Sequence, residues 1–501
     1  MKNNLSITPS RTRATIILAI GGYINTGIVI VQGLLLVPLY LNYIGSHTYG
    51  LWLASGGILG MLALVNFGVS TMIIQRVSSA YGQQDYLQAG AYFINGVIVY
   101  LGICLLYVLI GVGVSLWVPD ILRVQGDESE LFRHCFQIAL LAMTLSIINE
   151  CMRGLAQALL RPLVPMISMA SGRIIGIGST VWMLFNGFGL WALPTGIAIG
   201  EGVIFILNLF YSIALFRKLG TQLVIDKKII KEYTHTSPAL LTARLGTALS
   251  HESEPLLITL FLSPEVTTAY MITRRAADIV SQMLSVVYGA THSAFSNLVG
   301  FNRERARKVA EKLITIVFLF GLIGFVAYVG LNDKFISLWV GQSLSLNQNI
   351  IFLIGMGFFI RSFRDVLWQT LNGWGDFIYS SYVILSEGCL RLILMIIFLN
   401  IFGVVGVPLA LLLSSLGGVI LLWIRLKKYL SWGNGLSSIF RPLVTVIMFF
   451  CISIPVAIFI PNSDSWMIFI VTSVLLLVIL FLLFIIMNWR MCRSFFLQAR
   501  L

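Results

Sequence analysis

Runs of about twenty or more apolar residues follow one another along almost the whole chain, and this supply of membrane-length segments constrains the fold more than any motif does. A helix rises only ~1.5 Å per residue, so ~20 apolar residues are needed to cross the hydrocarbon layer. By that rule we place fourteen helices, at approximately 14–40, 48–75, 91–117, 132–155, 164–186, 190–216, 237–262, 267–297, 309–330, 350–372, 378–400, 404–425, 441–460 and 465–488. Composition agrees: 58% of the 501 residues are hydrophobic, 11% are charged, and the mean hydropathy is +0.93. A water-soluble chain of this length would need far more polar surface. The expected fold class is an all-α polytopic membrane protein.

The net charge of +13 raises the question of nucleic acid, and its distribution answers it. The basic residues sit in short loops between apolar runs, with no folded basic domain to grip a phosphate backbone. Their asymmetry sets the topology. With the N-terminus in the cytoplasm, Lys2, Arg11 and Arg13, the Arg217–Lys231 and Arg303–Lys312 loops, Arg425–Arg441 and the tail's Arg490, Arg493 and Arg500 all fall inside. Only Arg123 and Lys334 are then clearly outside. Both termini are therefore expected to be cytoplasmic. The first apolar run is too long for a signal-peptide core, so it reads as the first span. The six cysteines show no metal-ligand spacing and read as small core residues. No metal or other cofactor is expected.

Against this background the stretch ARLGTALSHESEPLLI, 243–258, is costly. It carries Arg244, His251, Glu252 and Glu254 inside a span, and a charge at bilayer centre costs ~2.5–3.5 kcal/mol even on lenient scales. Other spans hold Arg133, Arg173, Arg274, Arg275, Arg361, Arg364 and Arg391, together with Glu150, Glu201, Asp278, Asp365 and Glu387. Arg244 and His251 are seven apart on one helix face, and Glu254 follows three later; Glu252 points about 100° away. Pro255 removes a backbone hydrogen bond, so a kink is expected there. Arg274 and Asp278 are i,i+4, as are Arg361 with Asp365 and Glu387 with Arg391. The last four read as structural ion pairs. Depth counting places Glu254 level with Arg274, so a Glu254–Arg274 or Glu252–Arg275 pair is an expectation. HESE is not HExxH, so a zinc-protease reading fails on spacing. Glycine pairs such as Gly21-Gly22, Gly56-Gly57 and Gly417-Gly418 read as close-packing positions rather than phosphate loops.

The chain also repeats itself weakly. QALLRP, Gln157–Pro162, and NGWGDF, Asn372–Phe377, each join the fourth and fifth helices of a six-helix set, 215 residues apart. TYGLWLASGGI and TAYMITRRAADI open corresponding helices some 220 residues apart. Six being even, both halves keep one orientation, which implies a parallel repeat. The domains are expected at 1–218 (six helices), 219–236 (basic cytoplasmic linker), 237–426 (six helices) and 427–501 (two helices and a cytoplasmic tail).

The segment LLLVPLYLNYIGSHTYGLWLASGGILGMLALVNFGVS, 34–70, resembles the opening of Wzx-type polysaccharide flippases, in the superfamily that also holds MATE exporters and the MurJ lipid II flippase. Pro38, Gly45, Tyr49-Gly50-Leu51-Trp52 and Asn66-Phe67-Gly68 carry the resemblance; Asn66 stands where many relatives have Asp. The resemblance implies two six-helix lobes around a central cavity. It also implies transport of an undecaprenyl-diphosphate-linked oligosaccharide, an O-antigen or similar repeat unit, from the cytoplasmic to the periplasmic leaflet of a bacterial inner membrane. A polymerase and a chain-length regulator are the protein partners such a transporter would have, besides the lipid bilayer; nucleic acid is not a partner. Alternatives within the superfamily are a MurJ-like lipid II flippase and a MATE-type cation-coupled exporter. A membrane-embedded polymerase or ligase is the alternative outside it. The longest outer loop, about 331–349, holds one Lys and one Asp, poor equipment for catalysis, so a transporter rather than an enzyme is expected.

For a diphosphate headgroup, arginine is the suited ligand, being planar, bidentate and always charged. Arg244 has no acid three or four residues away and is the first candidate, followed by Arg173, Arg274 and Arg275 for diphosphate or sugar. His251, Glu252, Glu254 and Asp278 are candidates for ion coupling or for acids lining the cavity.

Overall fold

The computed structural model describes residues 11–63, 69–220, 224–301, 303–430 and 465–487, and these are helical almost throughout. The helices are α1 (Arg11–Leu62), α2 (Val69–Gly82), α3 (Tyr86–Ile121), α4 (Asp127–Ala158), α5 (Leu163–Phe185), α6 (Ala192–Leu219), α7 (Lys227–His251), α8 (Ser253–Phe261), α9 (Pro264–Phe301), α10 (Arg303–Trp339), α11 (Gln348–Gly373), α12 (Phe377–Phe402), α13 (Gly406–Leu426) and α14 (Trp466–Met487). The expected span at 441–460 lies outside the described residues, as do Asn66, Phe67 and Gly68. Among the described residues, seven stretches are long and apolar enough to cross a membrane, and the chain is a multi-pass membrane protein. α9 and α11 fall outside those seven stretches. Both carry the interior charges that lower a helix's mean hydropathy.

Helix faces are inverted relative to a soluble protein. On α3, Leu101, Leu105, Leu109 and Leu116 are exposed along one side, while Tyr100, Cys104, Tyr107 and Gly111 are buried on the other. A bilayer accepts the apolar face, so small and polar groups turn inward. Cys104, Cys135 and Cys151 are buried as expected, whereas Cys389 is exposed on α12.

Two expected spans divide further. The 48–75 span becomes the second half of α1, the undescribed 64–68 and then α2. Within α1 the helix is interrupted at Gly45, whose φ of 79° is open to glycine at no steric cost. The 237–262 span breaks at Glu252, between α7 and α8, rather than at Pro255 itself. The reason is that a proline clashes with the carbonyl four residues back, here that of His251, so the disruption falls upstream. The Glu252 N–H still reaches the Ala248 carbonyl at 2.8 Å.

The chain divides into two compact units, Met1–Leu260 and Phe261–Leu501. In the first, α5 packs on α6, α4 lies against α6 and α3, α1 lies against α5, and α7 lies along α3. The start of α7 is clasped to this unit: Asn95 Nδ2 donates to the Val224 carbonyl and the Asp226 N–H donates to Asn95 Oδ1. Arg76 pairs there with Glu232. In the second unit, α11 packs on α13, α10 and α9, α12 lies on α13, and α14 lies on α10 through Phe335, Trp466 and Phe469.

The repeat is visible in backbone detail within each unit. At the α4–α5 turn, Leu160 has φ 59°, its N–H donates to Gln157 O, and the Arg161 N–H donates to Ala156 O. At the α11–α12 turn, Gly375 has φ 89°, its N–H donates to Asn372 O, and the Asp376 N–H donates to Leu371 O. Both are left-handed helix caps of one design, offset by the 215 residues of the sequence match. A second pair was not evident in sequence. Gly189 and Gly403, with φ 55° and 59°, each open a one-turn 3₁₀ helix that leads into α6 and α13.

One member of each noted glycine pair sits at a close approach. An added Cβ would meet the Met166 side chain at Gly21, the Glu252 carbonyl at Gly57 and the Glu387 carboxylate at Gly418, whereas Gly22, Gly56 and Gly417 face open space. Gly57→Ala is therefore expected to lower stability by about 1–3 kcal/mol, with Gly56→Ala close to neutral. Equal melting temperatures for the two variants would refute this contact.

Candidate functional site

The interior charges gather in three places. The first is a cavity of about 230 Å³ in the first unit, lined by α1, α5 and α6. Its geometry follows from two small-xxx-small patterns, Gly172–Gly176 on α5 and Gly196–Gly200 on α6. A Cβ at Gly172 would lie 2.6 Å from Gly200 O, and one at Gly176 would lie 2.8 Å from Gly196 O. The two helices thus meet backbone to backbone, a packing that bilayers favour because lipid supplies no hydrophobic drive between helices. Arg173 and Glu201 each follow one of these glycines, and both line the cavity. Glu201 is the acid whose charge bears on Arg173, with Arg153 a nearby like charge. Among the described residues, no ion pair joins Arg173 to Glu201, and Arg173 Nε has no hydrogen-bond acceptor. Asn149 on α4 holds the carboxylate, its Nδ2 donating to Glu201 Oε2 at 3.0 Å. Thr180 and Gln32 complete the polar lining.

The second place is the α7–α8 break. Arg244 is exposed on α7, and both it and Glu150 lie near the Tyr100 hydroxyl of α3. His251 is half-buried at the end of α7. Glu252 rests on α1 where Gly57 and Gly60 leave room for it, and Glu254 is fully buried on α8. These residues belong to the first unit, Arg274 and Arg275 to the second.

The third is a polar seam through the second unit. Arg274 is buried on α9 and binds Asp278 through one edge of its guanidinium, Nε donating to Oδ2 at 3.0 Å and Nη2 to Oδ1 at 3.1 Å. Its register is fixed one residue earlier, where Tyr328 Oη and Asn332 Nδ2 of α10 both donate to the Thr273 carbonyl. Arg274 and Arg361 both lie over the Phe358 ring, 5.5 and 5.7 Å from its centre. Arg361 reaches Asp365 at 3.9 Å, as the i,i+4 spacing predicts. Arg364 bridges helices, contacting Asp365 at 3.2 Å and Glu387 of α12 at 3.4 Å. Ser415 Oγ of α13 donates to Glu387 Oε1 at 3.0 Å. Glu387 thus has a partner across helices that local spacing alone, which pairs it with Arg391, does not reveal. Arg391 itself is fully buried on α12, and Arg275 is half-buried on α9. At the cytoplasmic end expected from the topology, Asp376 accepts from Arg425 Nε at 2.6 Å and from Tyr429 Oη at 3.2 Å. Burial, then the Asp376 carboxylate, pushes the Tyr429 phenol above its ordinary value.

Arg364, Ser415, Asn149 and Gln32 are therefore members of these clusters that the sequence did not single out for a role. The glycine spacing on α5 and α6 was the available signal for the first cavity.

The MatE family pattern matches residues 42–182. Among curated proteins none matches. A solved structure of the lipid II flippase MurJ, in an inward closed conformation, superposes with a TM-score of 0.69 at 13% identity, covering 94% of this chain and 99% of that one. The fold is that of the MATE and MurJ transporters. A eukaryotic MATE transporter matches with a TM-score of 0.63 at 14% identity over 87% of this chain and 99% of its own. An outward-facing multidrug resistance MATE family transporter gives 0.61 at 15% over 86% and 99%.

Proposed function

We propose that this chain is a flippase for an undecaprenyl-diphosphate-linked oligosaccharide, an O-antigen or similar repeat unit, carried between leaflets of a bacterial inner membrane by alternating access. The observation that carries the reading is the concentration of arginines inside a MATE/MurJ fold. Arg173, Arg274, Arg361, Arg364 and Arg391 are withdrawn from solvent in whole or part, an expense that a diphosphate-bearing, hydroxyl-rich cargo repays. Arg244, exposed on α7, remains the first candidate for the diphosphate. Arg274 commits its Nε–Nη2 edge to Asp278, which makes it a weaker first candidate for the diphosphate than Arg244.

The test is surface polysaccharide in a deletion strain complemented with wild type, Arg244→Ala or Arg244→Lys at matched protein levels. Loss with Ala and partial return with Lys is the expected result. Full activity with Ala removes Arg244 from the mechanism. Unchanged polysaccharide in the deletion strain itself overturns the flippase reading.

A lipid II flippase is the second reading, favoured by the superposition on MurJ over 94% of the chain. Rescue of growth in cells depleted of their own lipid II flippase would select it.

A further inference from the structure

We propose that the Arg173–Glu201 cavity is a sugar subsite that takes one neutral, hexose-sized ring of the carried oligosaccharide, separate from any diphosphate-binding arginine. The inference rests on the flippase reading above and names what this part of the first unit does in it.

Size is the first argument. Water occupies about 30 Å³ in the liquid, and pockets for drug-sized ligands run to about 300–1,000 Å³. At about 230 Å³ this cavity is of the size of a single ring with a few waters.

Charge is the second. One guanidinium and one carboxylate line the cavity, and they are not in ion-pair contact. Their fields largely offset each other, so a lone cation or anion gains little there, whereas a neutral polyol gains charge-assisted hydrogen bonds at both ends. Glu201 is already steadied, with Asn149 on Oε2, and its Oε1 is left to accept from a ring hydroxyl. Arg173 offers the donors of its fork to hydroxyl or ring oxygens. Thr180 Oγ1 donates to Gly176 O, which leaves its lone pairs to accept. Gln32 adds an amide that both donates and accepts.

Shape is the third. Gly172, Gly176, Gly196 and Gly200 leave the wall without side chains, and Ile177 and Ile197 supply an apolar surface for the C–H edge of a ring. A few polar groups set on a mostly apolar wall is the usual build of a small-ligand site.

The experiment is saturation-transfer NMR on the full chain in nanodiscs, with methyl glucoside, methyl galactoside, methyl mannoside and methyl N-acetylglucosaminide as probes. At least one glycoside is expected to show transfer with the wild type and with Gly202→Ala, whose added methyl faces open space. Its affinity is expected to fall about tenfold in Glu201→Gln and Arg173→Gln, the loss typical of one charge-assisted hydrogen bond. Gln32→Leu serves as a third variant should either charge substitution fail to fold. No transfer from any of the four to the wild type, or unchanged affinity in folded variants, overturns the subsite. Absent glycoside binding in a protein whose deletion abolishes polysaccharide sinks the subsite alone. Glycoside binding in a protein whose deletion leaves polysaccharide intact sinks the flippase reading and keeps the subsite.

Discussion

Gly176→Leu is expected to leave little correctly folded protein, while Gly178→Leu, two residues along the same helix, behaves like the wild type. A Cβ at Gly176 would stand 2.8 Å from Gly196 O and 3.3 Å from Gly200 Cα, so every near neighbour is backbone. At Gly178 nothing lies within 4 Å. Overpacking ordinarily costs about 1–3 kcal/mol because a side chain can turn aside. Here the only relief is to part α5 from α6, which strips the packing from both helices and opens the Arg173–Glu201 cavity. Alanine at the same site should cost an amount within that range, and leucine more. Fluorescence-detected size exclusion and thermal melting in detergent measure both. A Gly176→Leu protein that elutes and melts like wild type would mean that the helices do not meet there.

Removing the Arg364 guanidinium is expected to be the most damaging change in the second unit. Arg364→Leu leaves Glu387 buried on α12 with Ser415 beside it and without the contact from α11. Breaking one side of a buried ion pair costs about 3–5 kcal/mol, because the charge left behind has lost its compensation. Asp365 suffers less, since Arg361 also reaches it. The double variant Arg364→Leu with Glu387→Leu should recover a large part of the loss, as buried pairs exchanged for apolar groups often do. A double variant no better than the single one would show that Glu387 is held mainly by other groups. A single variant that melts like wild type would show that the seam contributes nothing to stability.

Both expectations concern contacts that the sequence did not announce, and the division between what was legible and what was not has a physical cause. Helix existence, membrane class and the spacing of the repeat are properties of short segments. Hydropathy over twenty residues decides whether a run suits lipid. The match between Gln157–Pro162 and Asn372–Phe377 marked two helix caps whose hydrogen bonds close within six residues. Local spacing also sufficed for Arg274–Asp278 and Arg361–Asp365, because i,i+4 neighbours on a helix touch whatever else surrounds them.

Partners on different helices were beyond that reach. Arg364 had Asp365 and Glu387 to choose from, and Glu387 had Arg364 and Arg391. Local spacing points to Arg391, whereas the contact with Arg364 exists only because α11 and α12 both pack on α13. Likewise Arg173 and Glu201 are twenty-eight residues apart and read as two separate costs in sequence. They become two walls of one cavity because four glycines let α5 and α6 approach until backbone meets backbone. The break at Glu252 divides the same way: Pro255 made a bend predictable, but the seat of Glu252 against Gly57 and Gly60 depends on α1. The sequence alone determined that these charges must be sheltered, since lipid penalises each one by itself. The tertiary structure decided which charges shelter one another, because that choice turns on a few ångströms of interhelical distance that no single helix encodes.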